Sequence, residues 1–188
     1  MSGSPVAAII LAAGAGRRMG GPKALLEVGG ESLLRRAART ALAAGCAPVL
    51  AVVGPWDPGL DGWDVIPVLN AQAAEGMARS IRTGLAALPG GVAAVALLAV
   101  DQPAVEASLL RDLMDLFRCA GGRPAACAYD GTVGIPAVFP RRLFPDLRSL
   151  RGDRGAKAIL LREGAASLPF PEGARDLDWP EDLDRFRR

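Results

Sequence analysis

Along this chain, short runs of unbroken apolar residues alternate with stretches in which apolar positions recur every three or four residues. VAAIIL (Val6 to Leu11), PVLAVVG (Pro48 to Gly54) and VAAVALLAVD (Val92 to Asp101) show no polar alternation, which predicts strands covered on both faces. DVIPVLN (Asp64 to Asn70) reads as a further strand, and Pro67 puts it at a sheet edge. Ala125 to Tyr129 and Pro136 to Phe139 are later strands. Helical periodicity covers Ser32 to Ala44 before Gly45, Met77 to Leu88 before Pro89-Gly90-Gly91, Ser108 to Cys119, Ala156 to Arg162 and Pro180 to Arg187. Strand and helix in alternation predict an α/β fold, a three-layer α/β/α sandwich with a mostly parallel, Rossmann-like sheet. Residues 1–188 show no repeat and no linker, so one domain is expected. The proline- and glycine-rich stretch Gly54 to Gly62 is a loop, with Trp56 and Trp63 as edge packing rather than a stacking platform.

In open α/β sheets, ligands bind beyond the carboxyl ends of the strands. Three polar features fall there: a glycine-rich loop after Leu11, Asn70, and the turn Asp101-Gln102-Pro103.

Composition narrows the chemistry. At 51% hydrophobic and 22% charged, the 188 residues are those of a folded globular protein. A net charge of +2 with no dense basic block disfavours nucleic acid or an anionic membrane as partner. No apolar run is long enough to span a bilayer, and no basic residue precedes the first one as a signal peptide requires, so a cytoplasmic enzyme is expected. Cys46, Cys119 and Cys127 are scattered, the pattern of buried thiols in a reducing compartment. With no histidine in the chain, Ser-His and Cys-His nucleophile schemes are excluded. Carboxylates, cations, backbone amides or a metal must do the work.

The loop LAAGAGRRMGGPKALL (Leu11 to Leu26) holds Gly14, Gly16, Gly20 and Gly21 together with Arg17, Arg18 and Lys23. Glycines let backbone amides approach a ligand closely, and the cations point to a phosphate chain. The dinucleotide fingerprint fails because Met19 stands where its third glycine belongs. A P-loop fails because Pro22 precedes Lys23 and Ala24 follows it.

The loop resembles the L-x-A-G-x-G-x-R-M-G-x-x-K signature of the MobA-like nucleotidyltransferases, and within them the molybdenum cofactor cytidylyltransferases. The resemblance spans nearly the whole chain: NAQAAEGMARSIRTGL (Asn70 to Leu85) is similar to the nucleobase-side segment and AVDQPAV to the metal-binding turn. GIPAVFPRRLFPDLRSLRGDRGAKAIL is similar to the acceptor-side half, and DLDWPEDL (Asp176 to Leu183) to a near-C-terminal motif. The DQP turn together with L-x-G-D-x-G-A points to the cytidylyl branch. The resemblance implies the fold of the nucleotide-diphospho-sugar transferases and a Mg²⁺-dependent transfer of CMP from CTP to the phosphate of molybdopterin. A molybdenum enzyme or its chaperone would be the partner downstream.

By the same resemblance, Leu11, Ala12, Ala13, Gly14, Gly16, Arg18 and Lys23 hold the nucleotide, with Arg18 and Lys23 offsetting charge on departing pyrophosphate. Asn70, Ser80 and Gly84 match the segment that contacts base and ribose; from spacing alone, Ser80 is equally a solvent-facing helical serine. Asp101 emerges after nine apolar residues, either as a cap for the helix after Pro103 or as a Mg²⁺ ligand, and the resemblance favours the metal. Asp178, before Trp179-Pro180, fits an N-cap and alternatively a second metal ligand. Asp153 either caps the Ala156 helix or lies with Gly134 and Pro136 near the acceptor. Rival readings are a guanylyl, sugar-phosphate or alcohol-phosphate transferase of the same fold, an NAD(P)H oxidoreductase, and a non-catalytic cofactor carrier.

Overall fold

A computed structural model describes residues 5–16, 20–175, 177 and 182. Its main sheet has seven strands in the order β5-β4-β1-β6-β8-β7-β9. These are β1 (Ala7–Leu11), β4 (Val49–Val53), β5 (Ile66–Leu69), β6 (Ala94–Ala99), β7 (Ala125–Tyr129), β8 (Thr132–Pro140) and β9 (Ala166–Pro169). The left half β5-β4-β1-β6 is parallel throughout, and β8 enters antiparallel to both β6 and β7. β5 is the edge strand that Pro67 predicts.

Alternation of side chains across the pleat divides the core in two. Ala8 and Ile10, Ala51 and Val53, Ala96 and Leu98 face the helices α1 (Leu33–Ala43) and α3 (Ala107–Cys119). Ile9, Leu50, Val52, Val95 and Leu97 face α2 (Met77–Ala87), α4 (Phe144–Ser149) and α5 (Lys157–Arg162). Every one of these strand residues is almost fully buried, which is why the apolar runs do not alternate with polar residues.

Local chemistry sets the helix ends. Ser32 caps α1 by accepting from Arg35 N (3.3 Å), and Gly45, at φ +85°, closes it. Arg111 donates to Ala43 O (2.9 Å), tying α3 to the carbonyl end of α1. Three elements are absent from the sequence reading: the hairpin β2 (Glu27–Val28) with β3 (Glu31–Ser32), α4 and β9. The hairpin turns on Gly29 and Gly30, both at positive φ, as a two-residue turn of this hand requires. β8 also begins four residues earlier than expected, and the Pro180–Arg187 helix lies outside the described residues. Among the described residues no helix is long and apolar enough to cross a membrane.

Cys46 and Cys127 lie in the core, where burial pushes their thiols up to about 11 and about 12 from an ordinary 9.0. Both folded values are raised, so their stabilising contribution is complete below pH 9 and is lost as pH climbs through 9 towards 11–12. Exposed Cys119 alone should react with a thiol reagent at pH 8, one label per native chain and three after denaturation. Two or three labels on the native protein would contradict this packing.

Candidate functional site

The loop after β1 folds back on itself. Gly16 sits at φ +54°, and a Cβ there would run into the backbone carbonyl of Gly21 and lie 3.0 Å from Lys23 N, so only glycine closes this turn. Ala12 and Ala13 are buried beneath it, while Gly14 faces open space. A short 3₁₀ turn, Lys23–Leu25, anchors the far end: Ala24 is fully buried in the α1-side core, and Leu26 O accepts from Leu33 N (2.9 Å). This anchoring directs Lys23 at the end of β6, where its Nζ lies 3.4 Å from Asp101 Oδ2. Side-chain exposures of 18% and 28% leave the pair partly buried. Arg17 and Arg18 lie outside the described residues.

The Asp101 turn is braced from the C-terminal side. Leu177, fully buried, donates its N–H to Asp101 O (2.9 Å), and Gln102 Nε2 donates to Gly173 O (3.2 Å). Asp101 does not cap a helix: α3 starts at Ala107, with Glu106 at its N-cap position. Asp178 lies outside the described residues.

On the opposite wall stands the amino end of α2. Gly76, at φ +98°, lies so close under the next segment that a Cβ would come within 2.5 Å of Asp153 Oδ1 and 2.6 Å of Gly152 O. The Ala78 N–H, which has no partner inside the helix, donates to Gly152 O (3.1 Å). Asn70 is buried and works locally. It accepts from Gln72 N (3.1 Å) and donates through Nδ2 to Ser80 Oγ (3.0 Å). Ser80 is thus neither solvent-facing nor unsupported; because its oxygen accepts from Asn70, its own proton is left to donate elsewhere.

These walls enclose a cavity of about 260 Å³ lined by Leu11, Ala13, Gly14, Lys23, Ser80 and Asp101, with Asp153 at its rim. A second cavity of about 270 Å³ opens on the other side of Asp101, between Gln102, Tyr129, Gly134 and Lys157. Met77, Ala99 and Asp101 line both. Its far wall is a bulge in β8. Ala126 pairs with Ala137 but Cys127 with Gly134, so Ile135 and Pro136 loop out of register. Tyr129 OH donates to the freed Ile135 O (3.0 Å), and Gly134 leaves room for that ring.

Three expectations change. Asp153 makes no capping bond to α5 and lines the first cavity with the glycine loop, not the second. Pro136 is buried behind the second cavity rather than lining it. Gly84 lines neither: it faces the sheet, where a Cβ would meet Ile9 Cγ2 at 2.6 Å and Val52 Cγ2 at 3.0 Å. Residues the sequence reading passed over are Met77, Tyr129 and Lys157. The chain's single tyrosine, at the end of a strand, was a legible signal; Met77 and Lys157 carried none.

Among the described residues no three carboxylate or thiol groups gather as an all-protein metal cage. Asp101 and Asp153 are the carboxylates that line the first cavity. One or two carboxylates fit a Mg²⁺-type ion that brings phosphate oxygens and water as its other ligands.

A family model for the MobA-like NTP transferase domain matches residues 8–167. The chain belongs to the MobA-like NTP transferase family. The transferase is 33% identical to a probable molybdenum cofactor guanylyltransferase of Opitutus terrae, over 98% of this chain and 96% of the relative. It is 34% identical to nicotine blue oxidoreductase of Paenarthrobacter nicotinovorans, over 82% and 81%. Among solved structures it is similar to Rv0371c from Mycobacterium tuberculosis H37Rv, at 28% identity and a TM-score of 0.80 over 98% of both chains. That protein is also known in complex with manganese (27% identity, TM-score 0.76, 97% and 98% covered).

The position of Gly84 yields a test. Gly84→Ala should lower unfolding stability by about 1–3 kcal/mol through overpacking on β1 and β4, read from urea midpoints. Nucleotide KM should stay unchanged in the folded variant. A raised KM at unaltered stability would return Gly84 to the ligand.

Proposed function

We propose that this nucleotidyltransferase moves CMP from CTP to the phosphate of molybdenum cofactor, releasing pyrophosphate, in the cytoplasm. One observation carries the reading: two cavities of similar size share a wall at Asp101, so a nucleotide in one and a phosphate monoester in the other would meet there. An oxygen of the acceptor phosphate attacks the α-phosphorus, a new P–O bond forms, and the bond to the bridging oxygen breaks as pyrophosphate departs. The acceptor is already anionic, so no base is required, in keeping with a chain without histidine. Positioning and charge stabilisation supply the catalysis. Loop amides and Lys23 take the growing negative charge, with Arg18 joining them by resemblance. Mg²⁺, held by Asp101 together with the phosphates, would supply Lewis-acid neutralisation of that charge.

Lys23→Ala should lower turnover by about 100-fold or more with circular dichroism unchanged, since one preorganised cation is lost from the leaving group. Asp101→Asn should abolish the dependence of turnover on added divalent metal while leaving the melting temperature nearly unaltered. Wild-type turnover in Lys23→Ala would end the phosphate role, and unfolding of Asp101→Asn would make that carboxylate structural.

The base is the finer point. Cytidine is supported by the DQP turn and the L-x-G-D-x-G-A stretch, whereas the Opitutus relative is named for guanylyl transfer. Ser80 offers a hydroxyl donor into a cavity walled by small residues such as Ala13, Ala73 and Gly76. A site matched to cytosine's amino group and carbonyl leaves buried groups mispaired with uracil, at about 1–3 kcal/mol each. Pyrophosphate release over four nucleoside triphosphates, with molybdopterin as acceptor, should favour CTP over UTP by roughly tenfold, with GTP poorer. Preference for GTP would move the transferase to the guanylyl branch.

The identity to nicotine blue oxidoreductase supports a second reading, reduction of a dye-like substrate by NAD(P)H. The failed dinucleotide fingerprint weighs against it, and loss of nicotinamide absorbance with a dye as acceptor would establish it.

A further inference from the structure

We propose that the Lys23 ammonium is a place-holder for the divalent cation. It pairs with Asp101 when no nucleotide is bound and must leave before that carboxylate can bind a metal, so that nucleotide and metal bind with positive coupling. This rests on the reading of Asp101 as a metal-side carboxylate. Lys23 Nζ and Asp101 Oδ2 stand 3.4 Å apart, both side chains less than a third exposed. The backbone of Lys23 is pinned by buried Ala24, and that of Asp101 by the Leu177 N–H. One carboxylate oxygen therefore already faces a cation, and a metal arriving without nucleotide must displace it.

A triphosphate changes the balance. It enters the cavity that Lys23 lines and offers the ammonium several anionic oxygens at once. Once Lys23 swings to the phosphates, Asp101 is bare beside a polyanion, the setting in which a divalent ion binds best. Because coupling free energies are reciprocal, a metal on Asp101 equally frees Lys23 for the triphosphate. The pair thus keeps the Asp101 carboxylate neutralised in the absence of nucleotide and discourages metal from loading without it.

The test uses Mn²⁺ as probe, with free ion counted by electron paramagnetic resonance and no nucleotide present. Lys23→Met should bind Mn²⁺ about fivefold or more tightly than wild type, the scale of a partly buried ion pair removed. Lys23→Arg, which keeps a cation within reach of Asp101, should bind as weakly as wild type. The double variant Lys23→Met with Asp101→Asn should lose the gained site. In metal-free wild type, the Lys23 ammonium ¹⁵N resonance should move on Asp101→Asn, a contact readout that distant charge does not produce. Equal Mn²⁺ affinity in wild type and Lys23→Met, with binding still lost in the double variant, overturns the place-holder while leaving Asp101 as a metal ligand. Binding that Asp101→Asn does not touch in either background overturns the metal reading and the inference with it.

Discussion

The constraint on which this architecture depends is that strands β4, β1 and β6 are apolar on both faces. A strand so enclosed can carry no polar side chain along its length, because no partner is available between two layers of helix. Polar chemistry is therefore expelled to the strand ends: the glycine loop follows β1 and Asp101 follows its neighbour β6, while Asn70 follows the edge strand β5 on the far side of β4. The glycine loop, the Asn70 turn and Asp101 come together because the sheet order sets β5, β4, β1 and β6 next to one another. The clustering of chemistry at one rim of the sheet follows from the packing of its middle.

The elements with two-sided burial were legible in the sequence for the same reason. Val6 to Leu11, Pro48 to Gly54 and Val92 to Asp101 were found because their apolar runs are unbroken, and Ser32 and Gly45 bracketed α1 through cap chemistry. What escaped depends on tertiary context. β9 has an alternating pattern of only four residues, and its partner β7 is forty residues upstream. α4, six residues long, starts at Phe144-Pro145 and has no capping side chain to announce it. The hairpin at Gly29-Gly30 carried a readable turn signal but strands of two residues each.

The site was legible where backbone geometry makes a residue type obligatory and obscure where packing assigns the role. Gly16 and Lys23 sit where the loop motif put them, and Asp101 stands at the strand end its apolar run implied. Gly84 misled because a glycine on a helix has two uses, close contact with a ligand and close contact with a sheet, and spacing does not distinguish them. The position of Asp153 was not legible for another reason: its place on the rim of the first cavity comes from Gly76, which lets α2 approach Gly152, a contact between segments 76 residues apart in the chain.

The bracing of the Asp101 turn reaches beyond the part of the chain that defines the family. The matched region ends at residue 167, yet Gln102 is held by Gly173 and Asp101 by Leu177. A chain trimmed to the matched region would keep the glycine loop and the DQP turn and lose the two hydrogen bonds that hold the junction of the two cavities. Its β9 would also be cut midway. The tail is, in mechanical terms, a buttress: residues beyond the matched region tie down the one turn that both cavities share.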